Sequence, residues 1–106
     1  MLALTGKQKR HLRGIGQRLD VAASVGKGGL SEAFLDSLRR LLARHELIKI
    51  RLPAGPGTWR RSVAGEIAES VGCACAGVVG RTALLYRPNA DLEDRQRIHF
   101  PAGPGE

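Results

Sequence analysis

The chain has 106 residues, 42% of them hydrophobic and 25% charged, which fits one folded domain and excludes a disordered chain. No apolar run approaches the roughly 18 to 20 residues of a membrane span, and Cys73 and Cys75 lie too close together in sequence for a disulfide scaffold. Seventeen Lys and Arg against ten Asp and Glu give a net charge of +7, a balance typical of small proteins that bind a polyanion, above all nucleic acid.

The first predicted helix spans residues 5–18. Thr5 and Gln8 have the spacing of a capping box, in which each side chain accepts a hydrogen bond from the other residue's exposed backbone N–H. Lys7 lies near the start of this helix, and the residues that follow separate into two faces. One face carries Gln8, Leu12, Ile15 and Leu19, and the opposite, basic face carries Lys9, Arg10, Arg13 and Gln17.

A short strand and the clearest helix follow. Residues 20–25, DVAASV, predict a buried strand that ends in a tight glycine loop over residues 26–29. In the helix predicted over residues 31–46, Ser31 or a neighbour is the N-cap and Glu32 suits the positive end of the helix dipole. The apolar stripe of this helix, in which we expect the histidine to be packed, consists of Phe34, Leu38, Leu41, Leu42 and His45, with Leu35 beside them.

Residues 47–52 predict a half-buried strand, because apolar and basic side chains alternate along it. The loop PAGPG follows over residues 53–57, since Pro and Gly together exclude regular structure. One face of the strand carries Ile48, Ile50 and Leu52, and the other carries Lys49 and Arg51.

The third predicted helix covers residues 58–71. Its first turn contains Arg60 and Arg61, where the helix dipole disfavours positive charge by roughly 0.3 to 1 kcal/mol, which hints that these charges are used in binding. The apolar spacing favours a core position for Trp59, and the alternative is an exposed ring that stacks on a base. The residues that recur every four positions are Trp59, Val63 and Ile67, and the glycine that ends the helix is Gly72.

Two strands, residues 74–79 and 82–87, are predicted to form a hairpin around Gly80. The polar tail over residues 89–106 is expected to be partly disordered. The order of elements is α-β-α-β-α-β-β, and right-handed βαβ crossovers make part of the sheet parallel. The predicted fold class is α/β (α+β), a two-layer sandwich of a four-stranded mixed sheet packed with helices.

Residues suited to catalysis or metal binding are scattered. The C-x-C pair of Cys73 and Cys75 has no second pair, so two small residues in a buried strand are favoured over a zinc site. No serine lies in a nucleophile elbow, and Glu66 and Glu69 have the pattern of solvated residues on a helix. The three histidines are far apart along the chain: His11, His45 and His99. We therefore expect no catalysis, metal or cofactor.

The glycine loop is the segment best suited to binding a phosphate. Gly26, Lys27, Gly28 and Gly29 follow a strand and precede a helix, where backbone N–H groups and the helix dipole attract an anion. The spacing fits neither a P-loop nor a dinucleotide fingerprint, and leaves a G-x-x-G loop of the kind that clamps a nucleic-acid backbone. A plain glycine turn is the alternative. The lysine inside the loop and the basic helix before it favour phosphate contact.

Four motifs in order, LTGKQKRHLRG, VGKGGL, HELIKI and GRTALLYRP, resemble the CRM-domain family and, within it, the small bacterial stand-alone members of the YhbY type. The resemblance covers residues 2–88, the expected single RNA-binding domain. It implies a fold similar to the C-terminal domain of bacterial translation initiation factor three, binding to structured RNA of the large ribosomal subunit precursor, and neither catalysis nor a cofactor. The family's loop corresponds to Gly26, Lys27, Gly28 and Gly29, and its basic helix to Lys7, Lys9, Arg10 and Arg13.

The sequence thus predicts a non-enzymatic RNA-binding protein that assists large ribosomal subunit assembly. We expect a monomer with no small-molecule substrate and no membrane contact. A cytoplasmic location is expected because MLALTGKQKR places apolar residues before the charges, the reverse of a secretory signal. Two alternatives stay open: a nucleotide-binding enzyme or sensor that uses the glycine loop, and a basic adaptor for an acidic protein.

Overall fold

The computed structural model describes residues 3–26 and 29–101, and the predicted order of helices and strands is confirmed. Three α-helices surround one four-stranded mixed sheet with the strand order β1-β2-β4-β3. A 3-10 turn, Asp94–Gln96, follows the last strand. The bounds are α1 Gly6–Gly16, β1 Val21–Ser24, α2 Glu32–Arg44, β2 Leu47–Arg51, α3 Gly57–Val71, β3 Ala74–Val79 and β4 Thr82–Tyr86.

The strand pairing follows from the connections. Strands β1 and β2 are parallel because α2 crosses between them, whereas β4 pairs antiparallel with β2 and with β3, its hairpin partner. The prediction that residues 20–25 form a buried strand is wrong. Strand β1 has only β2 as a neighbour, and its side chains alternate between half-buried and exposed. In sequence, an edge strand of small residues cannot be distinguished from a buried strand, because alanine occurs in both kinds of strand.

Two separate apolar clusters cover the two faces of the sheet. Helices α2 and α3 pack on one face, against side chains such as Ile48 and Leu85, while α1 lies on the other, against Leu47 and Leu84. The fold class is as predicted, but α1 adds a third layer to the expected two. The reason is that β2 and β4, the central strands, carry apolar residues on both faces.

The close approach of α1 to the sheet depends on one glycine. A Cβ built on Gly16 would lie 2.6 Å from Cδ1 of Leu84, so only glycine lets the last turn of the helix rest on that leucine. The N-terminus of the same helix has the predicted capping box between Thr5 and Gln8. The predicted caps of the other two helices, Ser31 and Gly72, are also confirmed.

The predicted burial of His45 is wrong, and the next residue is the buried one. His45 lies just beyond α2 and is exposed, because the chain leaves the helix at Arg44 to enter β2. Glu46 is only 1% exposed. Its carboxylate accepts hydrogen bonds from the backbone N–H groups of Asn89 and Ile98 and from the guanidinium of Arg97.

This carboxylate fixes the segment that follows Pro88. Burial by itself raises the pKa of the Glu46 carboxyl, but the three hydrogen bonds and the Arg97 charge outweigh it, so the pKa lies below its usual range. Ile98 and Phe100 pack on the cluster beneath α1. Residues 89–101 therefore contact the domain. The domain limits at residues 2 and 88 and the partly disordered tail over residues 89–106 stay expectations, and residues 102–106 lie outside the described part.

Candidate nucleic-acid interface

Several loops meet at one end of the sheet, where the parallel strands β1 and β2 both terminate. The Val25 N–H donates to the Arg51 carbonyl at 3.0 Å, which holds the start of the glycine loop beside the end of β2. The Leu52 N–H donates to the carbonyl of Arg81, in the β3–β4 turn, at 2.6 Å. The N-termini of α2 and α3 follow within a few residues. Ligands of α/β sheets bind at this kind of edge.

We name this surface the basic end, because the exposed side chains of Arg51, Arg61 and Arg81 and the half-buried side chain of Arg60 belong to it. It comprises the ends of the glycine loop, the end of β2, the first turn of α3 and the β3–β4 turn. Among the described residues, no carboxylate lies within 4.0 Å of its guanidinium groups. Its named residues are Gly26, Gly29, Arg51, Arg60, Arg61 and Arg81.

The described part of the glycine loop is open to an approaching ligand. The Gly29 N–H donates to the Gly26 carbonyl at 3.0 Å, closing a turn, and Gly29 has a φ of 67°, which favours glycine. A Cβ built on either glycine would meet nothing within 4 Å, so neither is required by packing against this chain. Lys27 and Gly28, the two central residues of the predicted site, lie outside the described residues.

The side chains of Arg60 and Arg61 both reach Gly57, the first residue of α3. A Cβ built on Gly57 would lie 3.4 Å from a guanidinium nitrogen of Arg61 and 3.6 Å from one of Arg60. The Nε atom of Arg60 is buried with no hydrogen-bond partner among the described residues. Two like charges held together at the positive end of a helix are unfavourable unless an anion joins them.

Three cationic residues beside this site were absent from the predicted set. Arg51 and Arg81 are exposed at the basic end. Lys49 is half-buried and lies two residues before Arg51 in β2. The alternation of LIKIR already separates Lys49 and Arg51 from the core face, so the signal for these two was in the sequence. Arg81 carried no local signal, because only the hairpin pairing brings its turn next to Leu52.

Arg13 connects α1 to this region through a groove of about 280 Å³. Its aliphatic stem packs on Gly77, where a Cβ would lie 3.0 Å from Cδ of the arginine, and its guanidinium donates to the Ala76 carbonyl at 3.4 Å. The groove separates the last turn of α1 from the β3–β4 hairpin. Its lining residues are Arg13, Gly16, Gln17, Lys49, Gly77, Val79, Thr82 and Leu84.

The other predicted cations of α1 lie toward the opposite end of the sheet. Lys9 lines a groove of about 740 Å³ together with Glu66 and Glu69 of α3, and its charge acts on Cys75 of β3. Lys7 is half-buried, and Arg10 is exposed on the same turns. The structure therefore does not bring these three residues to the glycine loop, and any joint contact with RNA would have to extend along α1.

Trp59 is 45% exposed, so the prediction of a core position is wrong. The residue is the third of α3, and a helical side chain leans toward the helix N-terminus, which here ends in the loop before the helix. The six-membered ring of the indole rests against Gly55, where a Cβ would lie 2.5 Å from Cε3. Trp59 keeps the four-residue spacing to Val63, but its ring packs on the loop that precedes the helix and not in the core.

The cysteines are placed poorly for thiolate chemistry. Burial raises the pKa of Cys73 to about 12, with a contribution from Cys75, and burial also raises the pKa of Cys75. Within residues 3–26 and 29–101, no cluster of three or more His, Cys, Asp or Glu side chains has the arrangement of a metal site. In the same part of the chain, no helix has both the length and the apolar character needed to cross a membrane.

The curated relatives of this chain are RNA-binding proteins by name. "Probable RNA-binding protein PA4753" of Pseudomonas aeruginosa is 35% identical over 101 residues, which cover 92% of this chain and 97% of the relative. "RNA-binding protein" of Haemophilus influenzae is 29% identical over 93 residues, covering 88% and 94% respectively. The sequence likeness therefore extends over nearly the full length of both chains.

Comparison with a solved structure agrees with the sequence comparisons. The solution structure of a hypothetical Staphylococcus aureus protein, described as a proposed RNA-binding protein, superposes with a TM-score of 0.79 at 28% identity, covering 93% of this chain and 100% of that one. Residues 4–87 match the CRS1 / YhbY (CRM) domain. With a domain match over most of its length and a full-length relative above 30% identity, the chain belongs to the CRS1/YhbY (CRM) domain family.

Proposed function

We propose that this protein is a non-enzymatic RNA-binding protein that binds precursor ribosomal RNA and assists assembly of the large ribosomal subunit. The observation that carries this proposal is the gathering, at the basic end, of arginines that have no carboxylate partner in the described part of the chain. Membership of the CRM family and the names of the relatives support RNA as the polyanion. The protein acts as a monomer in the cytoplasm.

The proposed contacts follow from the chemistry of each group. The loop Gly26, Lys27, Gly28 and Gly29 holds the sugar–phosphate backbone, because glycines let the chain approach phosphates closely and the lysine supplies a positive charge. Arg60, Arg61 and the neighbouring Arg51 neutralise adjacent phosphates. The cations of α1, which are Lys7, Lys9, Arg10 and Arg13, extend the contact along the RNA. Phosphate contacts orient the RNA without reading bases, so recognition is mainly by shape.

A salt series on a structured ribosomal RNA fragment tests the proposed function. If four to six phosphates are contacted, the logarithm of the binding constant falls with the logarithm of salt concentration at a slope of about −3 to −5. We expect that slope together with a preference for RNA over duplex DNA added as a competitor. Equal binding to any polyanion, or no binding at low salt, would contradict the proposal and favour the adaptor for an acidic protein.

The glycine loop has its own test in the charge reversal Lys27→Glu. The change removes one cation and adds one anion. Each phosphate contact raises the binding constant at 0.15 M salt by roughly a factor of five over its value at 1 M salt. We expect RNA affinity to fall about 25-fold, measured by fluorescence anisotropy. Arg44→Glu, at the opposite end of α2, makes the same change in net charge and serves as the control. Equal losses in the two variants would remove the loop from the proposed interface.

A further inference from the structure

The aromatic side chains of this protein are few, and only one of them is exposed. The sequence has one Trp, one Tyr and two Phe. Tyr86 is buried, Phe34 packs against the cluster under α2 and α3, and Phe100 stacks edge-on against the tyrosine in the other cluster. Trp59 is the exception at 45% exposure. The exposed indole offers a flat apolar face with a polar N–H edge, which a partner outside the chain can reach.

The position of this ring is fixed rather than loose. Gly55 leaves the space in which the six-membered ring rests, at a distance that no other residue would permit. Pro53 and Pro56 flank that glycine and restrict the backbone of the loop. A ring held in place before binding loses little conformational freedom when a partner stacks on it.

The surroundings of the ring determine which partner fits. Arg60 and Arg61 follow Trp59 directly, and their guanidinium groups meet beside Gly57, two residues before it. No carboxylate among the described residues balances them. A hydrophobic partner surface would have to bury these charges unpaired, whereas a nucleotide offers a phosphate for the guanidinium groups and a base for the ring.

We propose that Trp59 is a stacking platform for an unpaired RNA base, whose adjoining phosphate is held by Arg60 and Arg61. The inference rests on the proposed RNA-binding function and narrows its substrate. A fully paired duplex keeps the faces of its bases stacked on one another, so the ring can reach only a loop, a bulge or an end. The preferred ligand is therefore a helix that carries unpaired nucleotides next to the segment bound by the glycine loop.

The test uses the full chain and two RNAs of equal length, a ribosomal hairpin with an unpaired loop and a continuous duplex. Because Trp59 is the only tryptophan in the sequence, intrinsic fluorescence reports on this ring alone. We expect the hairpin to quench the fluorescence with the same midpoint as binding measured by anisotropy, and the duplex to bind without quenching. Trp59→Leu should lower hairpin affinity about 5- to 150-fold and leave duplex affinity unchanged.

Two further variants separate stacking from loss of structure. Trp59→Phe keeps an aromatic face and should retain most of the hairpin affinity, while Arg87→Gln, at an exposed residue beyond the far end of β4, should change it less than 2-fold. Hairpin binding without quenching, or equal affinity of Trp59→Leu and the wild type, would overturn the stacking role alone. Equal quenching by both RNAs would overturn the preference for unpaired bases. Absence of binding to either RNA would overturn the proposed function and this inference with it.

Discussion

Replacement of Glu46 by Ala is expected to lower the free energy of unfolding by about 2 to 4 kcal/mol. Removal of one partner of a buried ion pair usually costs 3 to 5 kcal/mol, and the lower range applies because the side chain of Arg97 is 33% exposed and regains some hydration. The backbone N–H groups of Asn89 and Ile98 lose their acceptor as well. Urea denaturation at pH 7 measures the loss, and Glu69→Ala, at an exposed carboxylate of α3, should stay within about 0.5 kcal/mol of the wild type.

The same carboxylate gives this stability a defined pH dependence. The pKa of Glu46 is lowered in the folded protein, so its contribution is fully present above the unfolded value of about 4.3 and is lost as the pH falls through the folded value. The difference in unfolding free energy between the wild type and Glu46→Gln should therefore shrink between pH 5 and pH 3. A difference that stays constant over this interval would exclude the charge of Glu46 as its source.

A local consequence distinguishes this role from general core damage. With the carboxylate removed, residues 89–101 lose the hydrogen bonds that hold them to the start of β2. Trypsin cleavage after Arg95 and Arg97 should accelerate in Glu46→Ala at a temperature where the rest of the domain remains folded. Cleavage at an unchanged rate would show that Ile98 and Phe100 fix the segment without the carboxylate.

The double variant Arg60→Gln/Arg61→Gln is expected to reduce RNA affinity about 25-fold at 0.15 M salt while leaving the protein as stable as the wild type or more so. Two phosphate contacts at roughly a factor of five each give this loss, and the slope of the salt dependence should become less negative by about 2. Stability does not fall, because the two cations are the fourth and fifth residues of α3, close to the end of the helix where the dipole disfavours positive charge.

A matched control removes the same number of positive charges at the other end of the sheet. Arg44 ends α2 and Arg87 follows β4, both exposed and remote from the basic end. Arg44→Gln/Arg87→Gln should leave affinity within about 2-fold, measured by the same anisotropy titration. If both double variants lose affinity equally, the overall charge of +7 attracts the RNA and the basic end has no special role.

The elements of the fold were predictable from local patterns. The Thr5–Gln8 capping box, the Ser31 cap and the left-handed Gly72 each involve residues within one or two turns of one another, so their chemistry is complete in the sequence. The βαβ order also determined that β1 and β2 are parallel. The structure adds that, through this pairing, the start of the glycine loop lies beside the end of β2.

The candidate site was predictable only in part. Arg60 and Arg61 could be chosen because their charge opposes the helix dipole, and this conflict is visible in sequence. Lys49 and Arg51 were visible as the polar side of an alternating strand but were not assigned to the site. Arg81 could not be found, because its place beside Leu52 results from pairing between residues 29 positions apart.

What only the tertiary structure decided is which side of each element meets another part of the chain. Periodicity predicts that a face is apolar, but the neighbour that covers it is set by packing, so β1 became an edge strand and α1 formed a layer of its own. Trp59 has the spacing of a core residue yet packs against Gly55 of the preceding loop and stays exposed. Glu46 is buried because distant residues supply its hydrogen bonds. Local sequence determines conformation, whereas burial depends on contacts between segments that are remote along the chain.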